Sequence, residues 1–195
     1  LRLKWETLVV SHKSRGDKPL PYTEFDTPAS LSIYGKSKLA GENFVAIFAK
    51  GIYNQKFWAL RAAGASGKGG NFPETMLKLS QERKELKVVN DQVFSPTYTK
   101  DLPQKITQLI TTEYYGIFHI TNKGSCSWYG FAKEILKLAG LKTPVIPISS
   151  AEYPKKPEDP LLGLDNYHLR LLGMDDMRTW QEALKGYMIE KGYIE

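Results

Sequence analysis

Apolar and polar residues alternate along this chain with two different periods. In the stretch that begins at Asp101, four apolar residues recur at the spacing of one helix face: Leu102, Ile106, Leu109 and Ile110. Short apolar runs bounded by turn residues predict buried strands at 57–60, 86–89, 116–120 and 145–148. Helical patterns lie at 32–50, 73–84 and 128–139, and another follows Thr179. Strands that alternate with helices predict an α/β fold with a parallel sheet.

Side chains that can cap a helix mark several of these helix starts. Asn71 stands three residues before Glu74, and Thr179 three residues before Glu182, which is the spacing of a capping box. Ser127 stands directly before the helical pattern at 128–139. The sequence therefore predicts helices that begin just after these polar residues.

Composition and charge indicate a globular protein with a mixed-charge surface. The 195 residues are 42% hydrophobic, which is enough for a sizeable core, and the formal net charge is +6. The cations are interleaved with Asp and Glu, so they indicate a solvated surface with a modest bias toward phosphorylated ligands. No aromatic-basic motif of a nucleic-acid reader occurs, and a nucleic-acid partner is not predicted.

Cysteine and histidine usage points to a cytoplasmic protein without a metal. Cys126 is the single cysteine, which fits a reducing compartment. No apolar run approaches the ~20 residues that a membrane span needs, so no membrane partner is expected. His12, His119 and His168 share no ligand spacing, so no metal site is predicted, and His119 is interpreted as a packed strand residue.

Tyrosine and lysine stand four residues apart at three places: Tyr34 with Lys38, Tyr129 with Lys133, and Tyr187 with Lys191. On a helix this spacing puts both side chains on one face. An ammonium beside a phenol lowers the pKa of the phenol, which makes it a better proton donor to a substrate oxygen. Spacing alone does not choose among the three pairs. Tyr34 stands apart because an extended, proline-bounded segment at 21–28 precedes its helix.

The residues around Tyr34 resemble a known family. PYTEFDTP at 21–28, followed by YGKSKLAGE at 34–42, is similar to the extended short-chain dehydrogenase/reductase superfamily, and within it to the dTDP-4-dehydrorhamnose reductases. The resemblance runs from about Pro21 to the C-terminus through further blocks in the same order: LKVVNDQ at 86–92, SPTY at 95–98, YGIFHITN at 115–122, CSWY at 126–129 and VIPISS at 145–150. Several blocks in order are more specific than one motif.

This resemblance implies a fold and a division into domains. The chain would hold the C-terminal part of a Rossmann-type parallel sheet and a smaller α/β substrate-binding domain. Residues 1–65 and 94–122 would form the partial cofactor-binding domain. Residues 66–93 and 123–195 would form the substrate-binding domain. The family's N-terminal glycine-rich cofactor loop has no counterpart before the segment at 21–28, so tight binding of a dinucleotide by these residues alone is not expected.

The resemblance also implies an activity and its residues. The activity would be reduction of the C4 ketone of dTDP-4-dehydro-L-rhamnose to dTDP-L-rhamnose with NADPH or NADH. Tyr34 would donate the proton to the ketone oxygen, and Lys38 would hold the nicotinamide ribose, so both would bind the cofactor. Ser11 takes the position of a catalytic hydroxyl, although His12 replaces the neighbour that the family has there. Arg61 takes the position of a substrate-binding residue.

Other interpretations stay open at this stage. The family's sugar-contacting tryptophan is replaced by Gly64, and this change with the missing loop is compatible with a non-catalytic nucleotide-binding or regulatory subunit on the same fold. A nucleotide-sugar epimerase or dehydratase would use the same tyrosine-lysine pair. The glycines at 64, 67 and 70 also fit a phosphate loop of their own. A homodimer is a further expectation, because missing first strands would leave a sheet edge unpaired.

Overall fold

The structure is a computed structural model. It describes residues 20–28, 33, 36–37, 39–43, 58–61, 65–66, 71–152 and 163–195. Residues 33, 36–37 and 39–43 are helical, in agreement with the helix predicted at 32–50. Within these described ranges, no helix has the length and apolar character that a membrane crossing requires.

The described helices begin and end close to the bounds that the sequence predicts. They are α1 (Phe72–Glu82), α2 (Asp101–Ile110), α3 (Trp128–Leu138), α4 (Tyr167–Leu171) and α5 (Trp180–Glu190), with a 3-10 turn at Ser150–Glu152. The predicted helices at 73–84 and 128–139 correspond to α1 and α3. The short helix α4 follows a proline-rich stretch and was not among the predicted elements.

Side-chain caps explain where the predicted helices start. The Asn71 side chain accepts a hydrogen bond from the Glu74 N–H at 3.0 Å, and Ser127 Oγ accepts from the Gly130 N–H at 3.0 Å. Thr179 and Glu182 form the reciprocal capping box ahead of α5. These bonds satisfy N–H groups that have no partner inside the helix. The three predicted caps are therefore confirmed.

The described strands pair in two-stranded ladders, most of them parallel. They are β1 (Trp58–Arg61) with β6 (Gly116–His119), β2 (Ala65–Ser66) with β5 (Thr97–Tyr98), and β3 (Leu86–Val89) with β8 (Val145–Ile148), all parallel, and β4 (Val93–Phe94) with β7 (Cys126–Ser127), antiparallel. In the β1–β6 ladder Arg61 lies opposite His119, so both strands end at the same edge. The predicted parallel pairing of the strands near 57 and 117 is confirmed. The strand near Val10 lies outside the described residues.

Two hydrophobic clusters form the described core. The large cluster joins α1, α3 and α5 to β3 and β4 through these buried residues: Met76, Leu77, Leu86, Val88, Phe94, Phe131, Ala132, Ile135, Leu136, Trp180, Leu184, Tyr187 and Met188. The small cluster joins α2, β6 and α4 through Leu102, Leu109, Phe118, Ile120, Leu169 and Met177. No residue belongs to both clusters as far as the chain is described.

The small cluster bears on the expected domain division. Leu169 and Met177 fall in the segment expected to form part of the substrate-binding domain, yet they pack with Phe118 of β6. The large cluster, in contrast, draws its members from 76–94 and 131–188. The α/β class with a parallel sheet is confirmed, and the exact division into domains stays a prediction.

Candidate functional site

The segment at 20–28 is fixed to residues 163–165 by strand-like hydrogen bonds. The Tyr22 N–H donates to the carbonyl of Gly163 at 2.9 Å, and the Tyr22 carbonyl accepts from the Asp165 N–H at 2.8 Å. Asp26 Oδ2 accepts from the N–H and the Oγ1 of Thr23 at 2.8 and 3.0 Å, which closes a turn. Beyond this segment, the next residues that the structure describes, from 33 on, are helical.

Ser95 and Gly163 hold the other side of this contact. Ser95 is fully buried, and its Oγ donates to the Leu164 carbonyl at 3.2 Å and accepts from the Leu164 N–H at 3.0 Å. A Cβ on Gly163 would lie 2.7 Å from the Cβ of Ser125, so the backbone can approach this closely only as glycine. The Ser95 hydroxyl therefore makes the two hydrogen bonds to the Leu164 backbone that a neighbouring strand would otherwise make.

Glu24 ties the same segment to the end of β6. Its Oε1 accepts from the His119 N–H at 2.8 Å, and its Oε2 accepts from the His168 N–H at 3.1 Å. Burial raises the pKa of Glu24, while the two backbone hydrogen bonds oppose that rise. The carboxylate thus links three stretches that are far apart in the sequence. Its role was not predicted, because both partners are backbone groups of residues at distant positions.

His119 and His168 are packed and hydrogen-bonded. His119 Nδ1 lies 3.0 Å from the Asp165 carbonyl, and His168 Nδ1 lies 2.9 Å from the Ile117 carbonyl. The His168 ring stacks on Phe118, with ring centroids 4.3 Å apart. The interpretation of His119 as a packed strand residue is confirmed. Among the described side chains, no group of His, Cys, Asp and Glu is arranged to hold a metal ion.

The predicted catalytic pair lies outside the described residues. This applies to Tyr34 and Lys38, and equally to Ser11. Their neighbours are helical: Lys36 and Ser37 are exposed, and Glu42 is buried. The roles of the three residues therefore stay predictions.

The structure describes the backbone of Arg61, the predicted substrate-binding residue. Arg61 is the last residue of β1, opposite His119 at the end of β6. In open α/β sheets ligands bind outside the carboxyl ends of the strands. The position of Arg61 along the strand is compatible with its predicted role, which stays a prediction.

The other two tyrosine-lysine pairs have a different geometry from that expected of a proton donor. Lys133 Nζ lies over the Tyr129 ring, 5.4 Å from its centroid, and Lys191 Nζ lies over the Tyr187 ring at 6.0 Å. Burial and the hydrogen bond to Glu74 raise the pKa of Tyr187 to about 12. The hydrogen bond from Asn71 lowers this pKa, but by less. The Tyr187 hydroxyl already donates its proton to Glu74 Oε1 at 2.8 Å, and this bond with the raised pKa disfavours proton donation to a substrate. In both pairs the lysine instead makes a cation–π contact with the tyrosine ring.

A cavity of about 360 Å³ with several charged side chains in its walls lies beyond the carboxyl end of β6. Its walls carry charges of both signs, from Lys123, Arg170, Asp165 and Asp175. Arg170 Nη2 donates to Asp165 Oδ2 at 2.8 Å, so these two charges already compensate each other. Such a wall is suited to a polar ligand.

Asn166 supports the wall of this cavity from inside. Its Oδ1 accepts from the N–H and the Oγ1 of Thr121, both at 3.0 Å. Its Nδ2 donates to the Thr121 carbonyl at 2.8 Å and to Asp175 Oδ1 at 3.2 Å. The amide therefore uses its whole hydrogen-bonding capacity within the protein and fixes the residues after β6.

The glycine-rich stretch at 64–70 is described only at its centre. Ala65 and Ser66 form β2, which pairs with β5, and the glycines lie outside the described residues. The helix that follows is α1, and its first turn is capped by the Asn71 side chain. A helix start that is capped by its own protein offers fewer free N–H groups to a phosphate. The local geometry therefore favours the capped-helix interpretation over a phosphate loop.

Comparison with known proteins shows which family the chain belongs to. The model of the RmlD substrate binding domain matches residues 14–192. The chain is 38% identical over 172 residues to the spore coat polysaccharide biosynthesis protein SpsK of Bacillus subtilis, covering 88% of this chain and 59% of that protein. It is 32% identical over 185 residues to a dTDP-4-dehydrorhamnose reductase of Sinorhizobium fredii, covering 87% and 60% respectively.

Solved structures agree with these relatives. A dTDP-4-dehydrorhamnose reductase ortholog from Clostridium acetobutylicum superposes with a TM-score of 0.85 at 40% identity, over 94% of this chain and 64% of that one. The reductase from Bacillus anthracis, in complex with NADP, gives a TM-score of 0.80 at 41% identity, over 93% and 63%. The chain thus spans about three fifths of the length of the proteins it matches. The resemblance inferred from the motifs at 21–28 and 34–42 is confirmed, and the chain belongs to the family that carries the RmlD substrate-binding domain.

Proposed function

We propose that the protein to which this chain belongs reduces the C4 ketone of dTDP-4-dehydro-L-rhamnose to dTDP-L-rhamnose. The observation that carries this proposal is the 40% identity, at a TM-score of 0.85 over 94% of the chain, to a solved dTDP-4-dehydrorhamnose reductase. The motif at 21–28 and the helix start after it supply the second support, because Tyr34 and Lys38 keep the spacing that the chemistry needs.

In this proposal Tyr34 is the general acid. Reduction of a ketone puts a hydride on the carbon and leaves negative charge on the oxygen, which needs a proton. Tyr34 gives its phenolic proton to that oxygen, and Lys38 keeps the pKa of the phenol low and binds the nicotinamide ribose. Ser11 would hold the ketone oxygen in place by hydrogen bonding, and Arg61 would contact the substrate.

A nicotinamide dinucleotide, NADPH or NADH, would supply the hydride when it is bound. The parallel ladder of β1 and β6 fits such a ligand, because both strands end at one edge and dinucleotides bind outside that edge. Within this chain, Tyr34 and Lys38 are the residues that would hold the nicotinamide end. The NADP complex of the Bacillus anthracis reductase supports the phosphorylated form.

We further propose the division into two domains that the motifs imply. Residues 1–65 and 94–122 belong to the cofactor-binding domain, and residues 66–93 and 123–195 to the substrate-binding domain. In support, the buried members of the large cluster lie at 76–88 and 131–188, within the substrate-binding domain, except Phe94 at the boundary. The stretch around α4 packs on β6 and so forms part of the boundary between the domains. The partner is a nucleotide sugar, the compartment is the cytoplasm, and a homodimer is the proposed assembly.

The proposal is tested with the complete protein that contains this chain. The protein is mixed with dTDP-4-dehydro-L-rhamnose and NADPH or NADH, and the loss of reduced cofactor and the sugar product are both measured. Tyr34→Phe removes the proton donor and keeps the ring, so we expect kcat to fall by about 10²–10⁴-fold. Tyr129→Phe and Tyr187→Phe, the matched controls, should stay within a few fold of the parent.

Three results would contradict the proposal in different ways. A damaging Tyr129→Phe change with a harmless Tyr34→Phe change would show that the wrong tyrosine was chosen. Binding of the nucleotide sugar without any turnover would favour the non-catalytic subunit, and a product other than dTDP-L-rhamnose would favour an epimerase or dehydratase.

A further inference from the structure

Asn122 stands at the meeting point of three stretches of the chain. It is fully buried and lies three residues beyond the end of β6. Its Oδ1 accepts from the Tyr98 N–H at 2.8 Å, and its Nδ2 donates to Asp101 Oδ2 at 2.7 Å and to the Arg178 carbonyl at 3.4 Å. One amide therefore joins the residues before α2 to the residues before α5.

An ion pair reinforces the same junction. Arg178 Nε donates to Asp101 Oδ2 at 2.8 Å, and Arg178 Nη2 donates to Asp101 Oδ1 at 2.7 Å. This two-point geometry is specific to the planar guanidinium and the carboxylate. Asp101 is the first residue of α2, which packs in the small cluster, and Arg178 lies two residues before α5, which packs in the large cluster.

Three further contacts connect the stretch 98–101 to α5 and to Arg178 just before it. The Arg178 guanidinium lies 5.7 Å from the centroid of the Tyr98 ring. Glu190, at the end of α5, accepts a hydrogen bond from the Tyr98 hydroxyl and pairs with Lys100 Nζ at 2.7 Å. The stretch 98–101 is thus held to both ends of α5.

Gly186 allows the guanidinium to lie where it does. A Cβ at this position would stand 2.8 Å from Arg178 Nη1. The obstacle is the flexible end of a long side chain, so a methyl group at 186 would move the guanidinium away from Asp101 rather than break the helix. Gly186 is therefore required for close approach, and not for a special backbone conformation.

We propose that Asn122, Asp101 and Arg178 form a positioning joint that fixes the substrate-binding half of the protein against its cofactor-binding half. The two clusters share no buried residue among those described, so their relative placement depends on contacts between them. A joint that lets the halves move would leave fewer molecules in the arrangement that binds the sugar. The apparent affinity then falls in proportion to the competent fraction. This inference rests on the proposed function for its kinetic consequence.

The test compares two small perturbations of the joint with one control. Arg178→Lys keeps the charge and loses the two-point geometry. Gly186→Ala displaces the guanidinium without replacing any charged residue. Gly130→Ala, in α3, is the matched control, because its Cβ would make only ordinary contacts, 3.5 Å from Ser127 Oγ and 3.6 Å from Cys126 Cβ. Alanine is otherwise the better helix residue, so the control should be neutral or stabilising.

In the complete protein we expect both joint variants to raise KM for dTDP-4-dehydro-L-rhamnose by about three- to tenfold. The KM for NADPH and the rate of proton transfer from Tyr34 should change by less than about twofold. Gly130→Ala should leave all three unchanged. Equal rises in KM for sugar and cofactor, or a lower melting temperature with no change in either KM, would overturn the proposal and make the cluster a purely structural one.

A second measurement separates the joint from the proposed reaction. Scanning calorimetry of the complete protein does not depend on its activity. If the joint couples the two clusters, the joint variants should broaden or split the unfolding transition, whereas Gly130→Ala keeps a single one. A transition that shifts without broadening in both joint variants refutes the joint, whatever the activity of the complete protein.

Discussion

Replacing Tyr187 with phenylalanine tests whether this tyrosine stabilises the fold rather than acting on a substrate. Its hydroxyl connects α1 to α5: Asn71 Nδ2 donates to it at 2.7 Å, and it donates to Glu74 Oε1 at 2.8 Å. The ring belongs to the large cluster. Tyr187→Phe therefore keeps the packing and removes both hydrogen bonds.

The size of the effect follows from the chemistry of these two bonds. A hydrogen bond to a charged group contributes about 1.5–3 kcal/mol, and a neutral one about 0.5–1.5 kcal/mol. Lys191 Nζ stays 3.7 Å from the Glu74 oxygen, and the Asn71 side chain still caps α1, so neither partner is stranded. We expect a total loss of about 2–4.5 kcal/mol from the two bonds. For a chain of this size each kcal/mol lowers Tm by about 2–4 °C, which gives about 4–18 °C.

The assay is thermal unfolding of the chain followed by circular dichroism. Tyr129→Phe is the control, because in the part of the chain that the structure describes the Tyr129 hydroxyl makes no hydrogen bond. A surface change of this kind stays within about 0.5 kcal/mol, or about 2 °C. If Tyr187→Phe melted at the same temperature as Tyr129→Phe, the hydroxyl bonds would contribute nothing and the reasoning from their geometry would be wrong.

Two further predictions concern pH and capping. Burial raises the pKa of Cys126 from 9.0 to about 12, and the pKa values of Tyr98 and Tyr187 from 10.0 to about 12, so the folded state holds these protons more tightly than the unfolded chain. The free energy of unfolding is then unaffected by these groups below pH 9 and falls as the pH rises toward about 12. Cys126→Ala should make that fall shallower between pH 9 and 10, as measured by urea denaturation at each pH. An unchanged slope would contradict the raised pKa of Cys126. Thr179→Ala removes the capping box of α5 and should lower the free energy of unfolding by about 0.5–2 kcal/mol, measured by urea denaturation, and no loss would mean that solvent caps this helix equally well.

Local features of the fold could be predicted from the sequence. The side chains of Asn71, Ser127 and Thr179 each accept a hydrogen bond from an N–H group three residues further on. Both residues of each bond therefore lie within one short stretch of sequence, where the pattern can be recognised. The apolar stripe of α2 was equally visible, because Leu102 and Leu109 face the small cluster at helical spacing. A short-range pattern is sufficient wherever the physical cause is itself short-range.

Features of the candidate site were harder to predict for the opposite reason. Glu24 bonds to the N–H of His168, 144 positions away, and Asn122 bonds to the Arg178 carbonyl, 56 positions away. Both residues stand in the blocks that carry the family resemblance. Their partners are backbone groups, which have no signature in the sequence. The roles of such side chains emerge only when the fold brings distant stretches together.

The buried polar side chains around the end of β6 also limit where the chemistry can lie. Glu24, Asn122 and Asn166 bond through their polar atoms to backbone, hydroxyl or carboxylate groups of the protein, so we interpret them as positioning residues. Two of the three tyrosine-lysine pairs place the lysine over the ring instead of at the hydroxyl. Proton transfer to a ketone oxygen needs a hydroxyl with a nearby cation, and the pair proposed for it is Tyr34 with Lys38, on the strength of the family motif at 34–42. The reductase proposal therefore depends on this pair, which makes Tyr34→Phe its most direct test.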